Sequence, residues 1–281
     1  MSIALIWGVN NVAAKAALGE LPPMLAVAAR FSLVLVLLFW RLRAPPREYW
    51  PTFLLMLTFV GPLHFGVQYV GLALAHDLAP MVVAMQLWAP ASVVFAIVLL
   101  KERVDPVRLA GVAIAFVGAA AMTFDPVVFA QWGALSLVGL AACFYGFGTV
   151  LVRKMGGGVD AWAMQAWLAL ACAPTMLTGS IAFEHDALAQ AASASWVAWG
   201  CIIFGAVVSS IVANAFMFRL VQKYEVSRTT PYLLLTPVFS FTLAGLVLGD
   251  AITPAMILGG LATIAGVALV ALAERRFKAV A

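Results

Sequence analysis

Amides, indoles and one imidazole, set into long apolar runs, are the side chains of this chain that could do chemistry. Trp7, Asn10, Asn11 and Lys15 fall at helical spacing and would share one face of a helix. His64 and Gln68 stand four residues apart, with Phe65 and Tyr69 beside them. Met85, Gln86, Trp88 and Ser92 follow, then Tyr145 with Thr149, and Gln165 alone. Ser209, Ser210 and Asn214 lie together, and Tyr232, Thr236 and Ser240 form an i, i+4, i+8 row. Amides can hydrogen-bond a polar head group, and indole and phenol rings can cover an apolar side chain. That is binding chemistry rather than bond-making. A membrane-embedded enzyme would need His/Asp or His/Glu clusters at depth, and one lone His64 does not supply them.

Depth is what makes these residues candidates. A polar side chain inside a membrane is costly unless it faces the bundle interior or a water-filled cavity. Each has a plainer use as well. Ser92, Thr236 and Ser240 are expected to bond their own helix backbone, and Asn and Gln can join neighbouring helices. The twelve carboxylates all fall in connections or at the ends of apolar runs, which speaks against a proton-coupled pump for lipophilic cations. The predicted site is neutral to mildly basic, lined by amides and aromatics, and suited to small neutral zwitterions. The substrate-binding set is Trp7, Asn10, Asn11, His64, Gln68, Tyr69, Gln86, Trp88, Tyr145, Thr149, Ser210, Asn214 and Tyr232. Cys143, Cys172 and Cys201 each sit inside an apolar run without paired ligand spacing, so they read as small hydrophobes; no metal and no cofactor are expected.

The elements that must position this set are membrane spans. The chain is 65% hydrophobic and 10% charged, with a mean hydropathy of +1.06. Soluble domains carry roughly 45–50% apolar and about 25% charged residues. The apolar runs are continuous over the ~20 residues that a spanning helix needs, without the alternation of a barrel strand. Ten spans are predicted, at about 2–18, 23–42, 50–74, 79–100, 107–124, 132–152, 160–182, 196–221, 227–248 and 253–273. Met1 lies almost at the start of the first, so a longer N-terminus is an expectation.

Charge sets the orientation. Arg41, Arg43, Arg47, Lys101, Arg103, Arg108, Arg153, Lys154, Lys223, Arg228, Arg275, Arg276 and Lys278 all fall on one side of the ten-span arrangement. The opposite connections hold Glu20, His76, Asp77, Asp125, Glu184, His185, Asp186 and Asp250, and no Lys or Arg. Basic residues collect on the cytoplasmic side, which places both termini there. Lys15, Arg30 and Arg219 remain, within or near the ends of spans. The net charge of +4 is thus a topology signal and gives no reason to invoke nucleic acid.

The chain also repeats itself. The stretch 79–122 returns as 226–270: Glu102 corresponds to Asp250, Pro106 to Pro254, Gly111 to Gly259 and Gly118 to Gly266, each at an offset of 148, while Pro90 answers Pro237 at 147. Trp7-Gly8 answers Tyr145-Gly146 at 138. Each half holds five spans, an odd number, so the second must enter from the opposite face. The expected architecture is an all-α polytopic membrane protein of two inverted five-helix repeats, 1–125 and 126–281, within one membrane domain. Inverted repeats place a transporter's substrate near the midplane between them.

Trp7-Gly8 with Asn11 and Lys15, Leu21-Pro22-Pro23 followed by Arg30, and Ala89-Pro90 followed by Lys101-Glu102 and a Gly-rich span together resemble the drug/metabolite transporter superfamily. Within it the chain is similar to the ten-helix EamA-type exporters, most of all the YddG-type amino-acid exporters. The resemblance runs from about Ile6 to Ala271. It implies a secondary transporter of the bacterial cytoplasmic (inner) membrane, exporting small metabolites by alternating access through a central cavity. Amino acids with apolar or aromatic side chains are the expected cargo, the lipid bilayer and the substrate the expected partners, and a monomer the expected state. Efflux of lipophilic drugs is the alternative.

Overall fold

The computed structural model describes residues 1–76, 78–121, 131–247 and 254–280. Every regular element among them is helical. The 1–125/126–281 boundary and the residues Asp77, Asp125 and Asp250 used to assign sides lie outside the described residues. The first half runs α1 (Ser2–Leu18), α2 (Pro23–Leu38), α3 (Trp50–Thr58), α4 (His64–Leu74), α5 (Leu78–Met85), α6 (Trp88–Leu100) and α7 (Pro106–Ala121). The second runs α8 (Trp132–Met155), α9 (Ala161–Phe183), α10 (Ala187–Ser193), α11 (Trp196–Phe204), α12 (Ala215–Lys223), α13 (Val226–Thr229), α14 (Thr236–Val247) and α15 (Pro254–Val280). Among the described residues, five helical stretches are long and apolar enough to cross a membrane: Pro23–Arg41, Arg47–Leu74, Trp132–Gly158, Ala161–Phe183 and Trp196–Lys223. The other predicted spans contain shorter apolar helices.

α1, α2 and α8 run unbroken, but several other spans that carry polar residues are broken helices, and proline explains most of the breaks. α3 passes into α4 through a π-helical turn, Phe59–Leu63, with Pro62 inside it and Gly61 at φ −88°, ψ −111°. Pro90 has no N–H to give the carbonyl four residues back. That carbonyl, on Gln86, instead accepts from Ala89 N at 3.1 Å, and the chain turns between α5 and α6. In the second half, Thr230–Leu235 is 3-10 helical ahead of α14. Pro237 has no N–H for the Leu233 carbonyl, which accepts instead from the Thr236 N–H and from the Thr236 hydroxyl at 2.7 Å. α11 and α12 are joined by a π-helical segment, Gly205–Asn214. Gln86 and Thr236 thus sit at breaks, and Ser209, Ser210 and Asn214 in the widened helix.

The first helix of each half packs into the other half. α1 lies against α14, α11 and the 205–214 segment, whereas α8 lies against α6, α3, α4 and α5. α2 pairs with α9 and α7 with α15. Lipid offers little hydrophobic drive between helices, so close backbone approach through small residues is what holds them. A Cβ on Gly118 would come 2.6 Å from Thr263 N and 2.8 Å from Gly259 O. One on Gly266 would meet Gly111 O at 2.6 Å and Ala115 Cα at 2.8 Å. These glycines are close-packing positions, as their spacing predicted.

Carboxylates hold one end of the bundle. Glu184 accepts from the N–H groups of Met24 (2.6 Å) and Leu25 (3.0 Å), where the positive end of α2 favours an anion. Glu20 accepts from Ser195 N at 2.6 Å and Ser195 Oγ at 2.7 Å, and those bonds hold its carboxyl below the usual carboxylate range. The Glu20–Ser195 tie is therefore present above the ordinary carboxylate pKa and weakens as pH falls through the lowered value. At the other end, Glu102 lies 3.8 Å from Arg153, which donates to Gln222 O at 2.8 Å.

Candidate functional site

Between the halves lies a cavity of about 80 Å³. Its aromatic wall is built from three places in the chain. The Trp7 ring meets Trp88 at 5.8 Å and Tyr145 at 5.9 Å, centroid to centroid, and Trp88 meets Tyr145 at 5.4 Å. All three contacts are edge-to-face, the arrangement the ring quadrupoles favour. Trp7 and Tyr145, correspondents at an offset of 138, thus touch.

Glycine sets how near these rings stand. A Cβ on Gly8 would lie 2.9 Å from Phe239 Cβ, 3.2 Å from Ser240 N and 3.3 Å from Thr236 O. One on Gly146 would lie 3.3 Å from Ala91 Cβ, 3.1 Å from Ser92 N and 2.8 Å from Trp88 O. Adding 148 to 91, 92 and 88 returns 239, 240 and 236, so both glycines meet the same atom types at one spatial offset, one residue away from the 147 that pairs Pro90 with Pro237.

The polar wall comes partly from the breaks and partly from the unbroken helices α1, α2 and α8. Trp7 Nε1 donates to Asn214 Oδ1 at 3.1 Å, which spends one amide oxygen on holding an indole. Asn11 Nδ2 donates to Ser240 Oγ at 3.3 Å, and Ser240 Oγ donates in turn to Gly8 O at 3.3 Å. His64 Nδ1 lies 2.8 Å from Ala141 O. A carbonyl only accepts, so Nδ1 carries the proton. The imidazole meets Phe65 edge-to-face at 4.7 Å and Tyr145 at a tilt at 4.8 Å, centroid to centroid. Gln86 Oε1 and the Tyr145 hydroxyl are buried without a hydrogen-bond partner among the described residues.

Nine of the thirteen residues in the predicted set line this cavity: Trp7, Asn10, Asn11, His64, Gln68, Gln86, Trp88, Tyr145 and Asn214. Four do not. Thr149 turns its hydroxyl to Tyr145 O at 2.8 Å within its own helix. Tyr232 is half-buried and packs at the edge of an apolar cluster. Tyr69 and Ser210 stand behind the wall and hold a residue absent from the set, Arg30. Its Nε donates to Ser210 Oγ at 2.9 Å and its Nη1 to Tyr69 OH at 2.8 Å. Arg30 is only 2% exposed, lies mid-helix in α2, and lines the cavity. The sequence alone groups it with Lys15 and Arg219 as lying within or near the ends of spans, without a site role. The available signal was the length of the run on either side of it, which leaves no nearby interface to reach.

Ser92 and Thr236 bond their own helices, to Ala89 O and Leu233 O, both at 2.7 Å. Ser240 instead joins α14 to α1, because Gly8 brings that backbone within reach. Lys15 donates to Leu72 O and Ala75 O, carbonyls at the C-terminal end of α4, a favourable place for a cation. Arg219 lies over the Trp162 ring at 5.3 Å. Met85, Ser209 and Thr236, noted from spacing alone, line the cavity together with Phe65.

The model of the EamA-like transporter family matches residues 1–124 and again 131–272. An uncharacterized transporter of Bacillus subtilis, YvbV, is 25% identical, the alignment covering 99% of this chain and 92% of that protein. Proteins named probable amino-acid metabolite efflux pump, from Salmonella typhimurium and Escherichia coli, are each 24% identical over 94% of this chain and 90% of their own. A solved crystal structure at 20% identity superimposes with a TM-score of 0.78, covering 97% of this chain and 96% of the other.

Proposed function

This chain belongs to the EamA-like transporter family, and on that footing we propose that it exports small amino acids with apolar side chains. It is a membrane transporter and not an enzyme. The observation that carries the cargo is the composition of the cavity wall. Three edge-to-face rings offer an apolar surface, and the amides of Asn10, Gln68 and Gln86 offer hydrogen bonds, with no Asp or Glu among the described lining residues. Such a wall suits a neutral zwitterion better than a lipophilic cation, which would seek a buried acid. The names of the Salmonella and Escherichia relatives point the same way.

Alternating access would come from the two halves rocking about the central cavity. Support for inverted repeats at 1–125 and 126–281 lies in the twofold family match, in the Gly8 and Gly146 contacts, and in the reciprocal packing of Gly118 and Gly266. We propose ten spans, both termini in the cytoplasm, residence in the inner membrane, and a monomeric carrier.

The test of cargo is counterflow in liposomes. Vesicles holding purified protein and preloaded with unlabelled leucine should accumulate external labelled leucine, and protein-free vesicles should not. Uptake of a cationic dye, abolished by collapsing a proton gradient, with no amino-acid counterflow, would overturn the reading. Orientation has its own test, in a background lacking Cys143, Cys172 and Cys201. Both His185 and Arg103 are exposed. In intact cells an impermeant thiol reagent should label His185→Cys and leave Arg103→Cys unmodified; the reverse pattern would invert the topology.

A further inference from the structure

Arg30 is a cation at membrane depth with only neutral partners. A charged side chain there is expensive and faces the bundle interior or a cavity, usually against an opposite charge. Here the fixed partners are two hydroxyls, Ser210 and Tyr69, and two ring faces, Phe31 at 5.9 Å and Phe65 at 5.3 Å. Those hydroxyls occupy two of the five guanidinium N–H donors. The other three have no acceptor among the described residues, and no carboxylate there pairs with the group. Arg30 nonetheless borders the cavity, as do two more buried polar groups without partners among the described residues, Gln86 Oε1 and Tyr145 OH.

We propose that Arg30 is the anchor for the carboxylate of the transported metabolite, so that a single carboxylate, rather than an ammonium, is the obligatory feature of the substrate class. The inference rests on the transport reading above. A guanidinium presents parallel N–H groups that match a carboxylate edge, and two hydroxyls from different helices fix the orientation of this fork in advance. Arrival of a carboxylate converts an isolated buried cation into a neutral pair, which favours occupancy by a monoanion. A phosphate monoester brings a charge of about −1.5 to −2, and one arginine leaves most of the second charge uncompensated. The contact chain from Arg30 through Phe65 and His64 to Tyr145 then leads from the head-group end to the aromatic wall, where an apolar side chain would lie. Gln86 Oε1 can accept from an α-ammonium, but it carries no charge, so loss of that ammonium should weaken binding less than loss of the carboxylate.

The experiment compares three molecules that share leucine's side chain: leucine, 4-methyl-2-oxopentanoate and 3-methylbutylamine. Each is tested as a competitor of labelled leucine counterflow and as a thermal stabiliser of the purified wild-type protein, with inorganic phosphate as a fourth stabiliser. The oxo acid should compete within about tenfold of leucine, and the amine at least tenfold more weakly than the acid. Arg30→Gln should bring acid and amine together; Arg30→Lys, keeping charge without the fork, should fall between. An amine that competes as well as the acid overturns the anchor while leaving amino-acid transport standing. Absence of leucine counterflow, with the oxo acid still stabilising the protein, sinks the cargo reading and keeps the anchor. No stabilisation by any carboxylate, or a stronger effect from phosphate, overturns the inference. Wild-type selectivity decides the matter even where the Arg30 variants fail to fold.

Discussion

Gly146→Ala should lose both folded yield and transport, and Gly8→Ala should lose them to a similar degree. The added methyl on Gly146 meets backbone, Trp88 O at 2.8 Å and Ser92 N at 3.1 Å, which no rotamer change can move. On Gly8 the nearest atoms are Phe239 Cβ and the backbone of Ser240 and Thr236. Overpacking of this kind costs roughly 1–3 kcal/mol, a large part of a marginal stability. It also pushes α8 off α6 or α1 off α14, and so parts the Trp7, Trp88 and Tyr145 rings. The control is Gly133→Ala near the start of α8, where a Cβ meets nothing within 4 Å and a better helix former should leave stability unchanged or raised. Thermal unfolding in detergent beside counterflow checks all three. Wild-type melting of Gly8→Ala and Gly146→Ala would show that these helices are not held by glycine contact.

Gln68→Ala is expected to raise the leucine concentration for half-maximal counterflow roughly ten- to a hundredfold, with the melting temperature unchanged. Gln68 lines the cavity and is half-buried, and its amide makes no hydrogen bond to a described residue, so its loss orphans nothing in the protein. What it removes is a bond to a charged head group, worth about 1.5–3 kcal/mol. Asn11→Ala is a different kind of change, because it also strips Ser240 of its donor and should lower stability together with transport. Near-normal half-saturation in Gln68→Ala would place the head group elsewhere in the cavity.

Asn11 and Gln68 mark how far spacing alone could be read. Both were visible as polar residues at membrane depth, because lipid penalises a buried amide wherever the fold then puts it. That same penalty made Trp7, Gln86, Trp88, Tyr145 and Asn214 recognisable, and it explains why most of the predicted set converges. Thr149 and Tyr232 were selected by the same rule and do not line the cavity. A hydroxyl can satisfy itself on its own helix, and a tyrosine can rest at the edge of a cluster; neither choice is written in spacing.

The sequence by itself determined the class, a helical membrane protein, because composition and run length dictate the solvent. It also determined the pairing of glycines and prolines at an offset of 148, since a duplication leaves its register in the chain. Only the tertiary structure decided what Arg30 meets. Its charge was plain, but its partners Tyr69 and Ser210 lie 39 and 180 residues away, and no local pattern could bring them to it. The same holds for Ser240, whose partner Gly8 is 232 residues distant. The sequence states which groups must be satisfied, through the cost of leaving a polar group bare in lipid. Which partner satisfies each one depends on how the helices pack.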